Sequence, residues 1–281
     1  MLMKNMVRLL LLFIATLHSC KKGPEHHFID VQGKPQHVLT WGKGEPVVVF
    51  LNGGGSDLQD FGIVQKSIAQ ITKTFSYDKP GLGKSQMIDV PRTLENVVEE
   101  LRELLVKEGI VDVPVILVGH SMGGYVARYY LHRYPKNVAG MVLIDPGSEF
   151  LNDEYRKVQT QKEIMREDSI LLEQIKLIPK GFQMEVLAYP LHDSLLKTFS
   201  INTDIPITLI ESNKVDGDDP SHKKLIEIQK RLYRDFQRKV PQTNIISTVK
   251  SGHFVQRDEP ELVIAAIKGM LVDYRKPTVK N

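Results

Sequence analysis

The residues best placed to do chemistry in this sequence lie in the segment Gly119-His120-Ser121-Met122-Gly123. The segment follows the apolar run Val115–Val118 and leads directly into a stretch with helical character. A G-x-S-x-G pattern between a strand and a helix is typical of a sharp turn that presents a nucleophilic serine. Glycines at both ends let the two backbones approach closely while the serine takes a strained conformation. The chemistry indicated is nucleophilic attack by the Ser121 hydroxyl, aided by the positive end of the following helix.

The elements that must position this serine alternate along the chain. Predicted strands are Phe28–Val31, Gln36–Trp41, Val47–Leu51, Thr74–Tyr77, Val115–Val118, Val138–Ile144, Ile207–Ile210 and Asn244–Val249. Predicted helices are Leu58–Gln70, a helix capped by Thr93, a helix after Ser121, Ser221–Phe236 and Glu261–Tyr274. This alternation predicts the α/β class, with a doubly wound, mostly parallel sheet. In such sheets the reactive loops gather at the carboxyl ends of the strands.

Composition and motifs exclude several classes of partner and cofactor. The net charge is only +3, and Lys4 and Arg8 supply two of these charges, so we expect no nucleic-acid partner. The single cysteine allows neither an intrachain disulfide nor a Cys-based zinc site. There is no His-Glu-x-x-His pattern, and no G-x-G-x-x-G opens a helix after the first strand. We therefore expect neither a metal nor a nucleotide cofactor.

The N-terminal residues are typical of an export signal. The basic segment Met1–Arg8 precedes the apolar run Leu9–Leu17, which is too short to span a bilayer. Leu17-His18-Ser19-Cys20 then resembles a bacterial lipobox. The resemblance implies a signal peptide over residues 1–19, lipidation of Cys20, a polar tether over residues 20–27 and a membrane-anchored lipoprotein. The alternative is an ordinary cleaved signal with an incidental cysteine, which predicts a secreted protein.

Four signatures occur in a recognisable order along the chain. They are Asn52-Gly53-Gly54-Gly55, Tyr77–Ser85, Gly119–Gly123 and Ser251-Gly252-His253-Phe254. On these segments the chain resembles an α/β-hydrolase from about Phe28 to Tyr274, and in particular the small esterase-like members of that superfamily. The resemblance implies a core over residues 28–146 and 206–275 and an inserted helical cap over residues 147–205.

The resemblance also implies a catalytic triad in the chain order Ser, Asp, His. His253 lies in a loop just beyond the last predicted strand, where this fold delivers its general base. The acid has two candidates. Asp145 ends the strand next to the elbow strand, whereas Asp216 follows Ile207–Ile210, the commoner family position, in a loop with three aspartates. We favour Asp145 and keep Asp216 as the alternative.

An oxyanion hole and a roof complete the predicted site. The backbone N–H groups of Met122 and Gly54 are the expected oxyanion donors, because one donor follows the nucleophile and the other lies in the glycine loop. The cap is expected to roof the nucleophile with an apolar underside. The candidate lining residues are Met165, Met184, Leu187 and Tyr189.

These features predict a serine hydrolase, of carboxylesterase type, that cleaves a small-molecule ester through an acyl-Ser121 intermediate, with amides as less favoured substrates. A prolyl-aminopeptidase-type enzyme is an alternative that needs cap carboxylates to hold a substrate amine. The available carboxylates are Glu149, Asp153, Glu154, Glu163 and Glu167. A non-catalytic surface binding protein on a hydrolase scaffold is another alternative. Haloalkane dehalogenases need a carboxylate nucleophile, which Ser121 cannot supply.

Overall fold

The apolar runs of the sequence form the strands of one sheet in the computed structural model, which describes residues 23–215 and 220–275. The strands are β1 (Glu25–Val31), β2 (Lys34–Trp41), β3 (Val47–Leu51), β4 (Thr74–Tyr77), β5 (Val115–His120), β6 (Val138–Ile144), β7 (Ile207–Ser212) and β8 (Thr243–Thr248). Their order across the sheet is β1-β2-β4-β3-β5-β6-β7-β8. The six strands β4, β3, β5, β6, β7 and β8 run parallel to one another, whereas β2 is antiparallel to both of its neighbours. This confirms the predicted α/β class and mostly parallel sheet.

Helices cover both faces of the sheet. They are α1 (Gly62–Ile68), α2 (Leu94–Lys107), α3 (Met122–Arg133), α4 (Leu151–Arg156), α5 (Gln161–Gln174), α6 (Lys180–Leu196), α7 (Pro220–Lys239), α8 (Val255–Asp258) and α9 (Pro260–Arg275). Thr93 caps α2 as expected, because its side chain accepts a hydrogen bond from the Asn96 N–H. No helix in the described part of the chain is both long and apolar enough to cross a membrane.

The sheet separates two apolar clusters. All residues of β3 are buried, and they alternate between the clusters: Val49 and Leu51 pack on one side, Val48 and Phe50 on the other. One cluster contains the apolar stripes of α2 and α3, and the other those of α1 and α9. A strand that is buried on both faces needs apolar residues at every position, which explains the continuous apolar runs.

Two predicted boundaries are wrong. The tether was expected to extend to residue 27, but β1 begins at Glu25 and pairs with β2 along its whole length. The His27 imidazole contacts the Glu108 carboxylate at 2.9 Å and so fastens the strand to α2. The helix expected over Leu58–Gln70 is a 3-10 turn, Leu58–Phe61, followed by the short α1, because Asp57 accepts the Gln59 N–H and begins the tighter turn.

Three helices, α4, α5 and α6, lie between β6 and β7, within the range predicted for the cap. Helix α5 begins with a capping box in which Thr160 and Glu163 bond to each other's backbone. Helix α6 buries Glu185, Ala188 and His192, so this helix packs against the core rather than standing apart from it. The predicted signal peptide, Cys20 and Asp216 lie outside the described residues.

Candidate active site

Ser121 occupies a strained turn between β5 and α3. Its φ of 50° and ψ of −115° lie in a region that L-residues rarely adopt. Three hydrogen bonds hold the turn. The Ser121 N–H donates to the Ile144 carbonyl at 3.1 Å, and the Ser121 carbonyl accepts from the N–H groups of Gly124 and Gly147. The surrounding backbone therefore fixes a conformation that is unfavourable by itself.

Both glycines of the pattern are required by close backbone approach. A Cβ at Gly119 would lie 2.4 Å from the Gly123 carbonyl oxygen, and a Cβ at Gly123 would lie 2.0 Å from the Leu51 carbonyl oxygen. Neither contact can be relieved by moving a flexible side chain, because the obstructing atoms belong to the backbone. The elbow expected from the sequence is thus present in its full geometry.

We expect Gly123→Ala to lower the free energy of unfolding by about 3 kcal/mol or more, because the new methyl group overlaps the backbone at Leu51. Gly269→Ala is a matched control, since Gly269 lies in α9 with nothing near a new Cβ. That variant should gain about 1 kcal/mol from helix propensity. Urea unfolding of both variants measures the difference, and equal effects would contradict the close approach.

His253 and Asp145 meet at the carboxyl edge of the sheet. His253 follows β8, and its Nδ1 lies 2.7 Å from Asp145 Oδ2. A carboxylate only accepts hydrogen bonds, so Nδ1 donates, and in the neutral ring Nε2 is left as the acceptor. This is the tautomer that a general base needs. The structure therefore brings the expected base together with Asp145, the favoured acid.

Asp145 is held by several partners besides His253. Its backbone has a φ of 39°, and its N–H donates to the Ile210 carbonyl at 2.7 Å. Its Oδ1 accepts from the Ser212 N–H and from the Gln229 side chain, each at 3.2 Å. The Asp145 side chain is only 6% exposed. These contacts fix the position of the carboxylate beside His253.

Ser121, Asp145 and His253 all line one cavity of about 920 Å³. Part of its wall comes from the inserted helices, including Leu151, Tyr155, Leu171, Val186 and Tyr189. Among the lining residues expected from the sequence, Tyr189 is confirmed. The expectation for Met165 and Leu187 is wrong, because each is 64% exposed, and Met184 does not line the cavity either. Helical spacing alone did not show which side of α5 and α6 faces the core.

The two expected oxyanion donors come from separate elements. Met122 is the first residue of α3, where a helix has no internal partner for its N–H groups. Gly54 lies in the loop after β3, and a Cβ there would lie 3.0 Å from the Tyr189 hydroxyl and 3.1 Å from Phe182. The neighbouring Gly55 N–H donates to Glu185 Oε2 at 2.9 Å. The glycine loop therefore packs directly under α6.

His120 has a supporting position that the sequence did not indicate. Its ring lies 4.6 Å from that of His253, measured between centroids. Its Nε2 bonds to the His253 carbonyl at 2.8 Å. Burial, followed by the nearby charge of His253, lowers the pKa of His120 to about 3, so the ring is neutral and Nε2 donates. His120 thus supports the loop that carries the expected base.

The wall of the cavity contains a carboxyl group with a raised pKa, that of Asp193. Burial raises the pKa of its carboxyl to about 6, even though the Tyr125 hydroxyl donates to it at 2.8 Å. The folded protein therefore holds this proton more tightly than the unfolded chain, whose Asp pKa is 3.8. The stability from Asp193 is complete below about pH 4 and is lost as the pH rises through about 6.

We therefore expect Asp193→Asn to be more stable than the wild type at pH 8 by on the order of 1–2 kcal/mol, with no advantage at pH 4. The amide still accepts the Tyr125 hydrogen bond but carries no charge to desolvate. Urea unfolding of both proteins between pH 4 and 8 measures this difference. A difference that does not change with pH would contradict the raised pKa.

Within the described ranges, no group of three or more His, Cys, Asp or Glu side chains is arranged to hold a metal ion.

The chain shows clear similarity to known proteins. The model of the alpha/beta hydrolase fold family matches residues 46–200, more than half of the sequence.

Two curated relatives differ in how much of each chain the similarity covers. An AB hydrolase superfamily protein of Gibberella zeae is 24% identical over 87% of this chain and 91% of its own length. The uncharacterized protein YbdG of Bacillus subtilis is 31% identical over 42% of this chain, and the match spans only 37% of that relative.

Solved structures show the same fold at low sequence identity. The epoxide hydrolase CorEH has a TM-score of 0.64 at 17% identity, covering 90% of this chain and 100% of the other. A thermophilic esterase from Thermogutta terrifontis has a TM-score of 0.59 at 20% identity, with the same coverage of 90% and 100%.

Proposed function

We propose that this chain, which belongs to the alpha/beta hydrolase fold family, is a serine hydrolase that cleaves carboxylic esters through an acyl intermediate on Ser121. The observation that carries the proposal is the 2.7 Å hydrogen bond from His253 to Asp145, in a cavity that Ser121 also lines. A serine hydroxyl is a weak nucleophile at neutral pH and needs an oriented base beside it. The strained turn presents the Ser121 hydroxyl, and the His253–Asp145 pair provides the oriented base.

The proposed reaction has two halves. His253 Nε2 accepts the Ser121 proton as the hydroxyl oxygen attacks the ester carbonyl, and Asp145 stabilises the imidazolium that forms. The N–H groups of Gly54 and Met122 hold the negative oxygen of the tetrahedral intermediate. His253 then gives its proton to the departing alcohol, which leaves an ester on Ser121. Water, deprotonated by His253, attacks this ester and releases the carboxylic acid and free Ser121.

The alternative aminopeptidase is less well supported, because it needs a free carboxylate beside the nucleophile. Glu149 is paired with Arg128 at 2.8 Å, and Glu163 is used in the cap of α5. Asp153, the one member of the expected set that lines the cavity, is paired with Lys197 at 2.7 Å. At Asp153, a substrate amine would have to displace the Lys197 ammonium group. A neutral ester substrate needs no free carboxylate for its binding.

A chain-length series of p-nitrophenyl esters, measured beside aminoacyl anilides, tests this proposal. We expect kcat/KM of about 10⁴ M⁻¹s⁻¹ or more for the best ester, and we expect much slower turnover of every anilide. The best acyl length then reports how much of the cavity the acyl group fills. Faster turnover of anilides would favour the aminopeptidase, and no turnover of either series would favour a binding protein on a hydrolase scaffold.

We also propose that the chain is exported and anchored to a membrane through a lipid on Cys20. Only the sequence supports this step, through the apolar run Leu9–Leu17 and the lipobox-like Leu17-His18-Ser19-Cys20. Expression in a bacterial host with labelled palmitate should label the full chain but not Cys20→Ala. An unlabelled wild type would contradict the anchor, and a cleaved but unlabelled product would favour simple secretion.

A further inference from the structure

A buried ion pair joins the inserted helices to the core beside the glycine loop. Lys79 follows β4, Glu185 lies in α6, and Lys79 Nζ is 2.6 Å from Glu185 Oε1. Both side chains are only 2% exposed. Burial lowers the pKa of Lys79, and the Glu185 carboxylate opposes this effect. Neither residue takes part in the proposed proton transfers.

Both ends of this ion pair also bond to the backbone of the glycine loop. Lys79 Nζ donates to the Gly53 carbonyl at 2.7 Å, and Glu185 Oε2 accepts from the Gly55 N–H at 2.9 Å. The Gly53 carbonyl and the Gly54 N–H belong to the same planar peptide group. The Gly54 carbonyl and the Gly55 N–H belong to the next one. Lys79 and Glu185 therefore fix the two peptide planes on either side of Gly54.

Three successive glycines need such external support. Glycine has access to far more backbone conformations than other residues, and Gly55 is held at a φ of +70°. An oxyanion donor is effective only when its N–H is already directed at the place where the charge develops. The ammonium group also polarises the peptide whose N–H is the expected donor, which strengthens that donor. Stability alone is a weak reason for the pair, because buried ion pairs often stabilise no better than apolar side chains of similar size.

We propose that Lys79 and Glu185 are positioning residues that orient the Gly54 N–H as an oxyanion donor. The inference rests on the proposed serine hydrolase function. Glu185 belongs to the inserted helices and Lys79 to the core. The orientation of the oxyanion donor therefore also depends on how α6 packs on the core. The same helix places Phe182 against Gly55, where a Cβ would lie 2.7 Å from its ring. Helix α6 and the glycine loop are therefore one structural unit.

The test compares Lys79→Met and the double variant Lys79→Met/Glu185→Met with the wild type. The double variant replaces the pair by apolar side chains of similar length, so no unpaired charge remains buried. Arg92→Met/Glu100→Met is the matched control, because Arg92 and Glu100 form another buried ion pair, at 2.7 Å, which joins the segment before α2 to α2 itself. Thermal unfolding of each protein shows whether it is folded before its kinetics are measured.

We expect both Lys79 variants to lower kcat for the best ester by about 10–10²-fold, because the donor is misdirected rather than removed. KM should change little, and the control should keep the wild-type kcat. A trifluoromethyl ketone forms a tetrahedral oxyanion adduct with the serine, so its Ki should rise by the same factor by which kcat/KM falls. If Lys79 and Glu185 only stabilised the fold, the Ki of the ketone and kcat/KM of the ester would not change by the same factor.

A folded Lys79 variant with the wild-type kcat and ketone Ki would overturn the proposal. A rise in KM with unchanged kcat would overturn it as well, since that pattern reports lost substrate binding. If the double variant does not fold, Glu185→Gln preserves the shape and the acceptor for Gly55, and a kcat that stays at the wild-type value would count against a role for the charge. A wild type that neither hydrolyses esters nor reacts with a fluorophosphonate overturns the proposed function first, and this inference with it.

Discussion

Ser121→Ala should lower kcat for the best ester by about 10⁶-fold, the loss typical of removing a serine nucleophile whose base and acid act as one unit with it. The remaining rate would come from the oxyanion donors and substrate binding, which do not need the hydroxyl. Alanine leaves the backbone free to keep the strained turn, because the hydrogen bonds at that position use the main-chain atoms of Ser121. Stopped-flow kinetics of p-nitrophenol release should show a burst in the wild type that the variant lacks.

A fluorophosphonate probe gives a second readout that does not depend on the natural substrate. The wild type should be labelled once, at Ser121, and the alanine variant should not be labelled. Ser148→Ala is a matched control, since it removes a different hydroxyl from the same cavity and should keep the label. Labelling of Ser121→Ala would show that another residue is the nucleophile.

Asp145→Asn should lower kcat by about 10⁴-fold, because an amide cannot stabilise the imidazolium and can favour the wrong His253 tautomer. Asparagine tolerates the positive φ of Asp145, and it keeps an acceptor for the Ser212 N–H. We therefore expect the variant to fold normally, as thermal unfolding can check.

Asp216→Asn is the control for that experiment, because Asp216 was the other candidate acid. Its kcat should stay within about 2-fold of the wild type, because the His253 imidazole already bonds to Asp145. Equal and mild losses in the two variants would mean that neither aspartate is the acid. A large loss confined to Asp216→Asn would move the acid to the loop after β7.

The sharp turn at Ser121 and the order of the main elements could be predicted because local rules determine them. The turn at Ser121 needs glycines at fixed distances, and a strand buried on both faces needs a continuous apolar run such as Val47–Leu51. Such signals lie within a few residues of each other. The partnership of Asp145 with His253 was harder to predict. The two residues are 108 positions apart, and the sequence also offered Asp216 as an alternative partner.

The rest of the site depends on packing between distant segments. Lys79 and Glu185 each look like an ordinary surface residue, and only the fold shows that they meet and are buried. The contact between His120 and the loop of His253 likewise joins residues that are 133 positions apart. The inserted helices were the hardest to interpret. Helix α5 buries none of its residues, so its apolar positions do not mark a face that packs on the core.

The position of His253 beyond the last strand also determines when the site can assemble during folding. Strand β8 forms one edge of the sheet and pairs with β7. His253 follows this strand and lies 132 residues after Ser121 in the chain. Parallel strands need a crossover connection, here the segment that contains α7, and such non-local pairings form after the local helices. A chain that is still being synthesised can therefore complete its elbow while its base is missing. If His253 is the base, as proposed, we expect hydrolytic activity only after the C-terminal segment has joined the sheet.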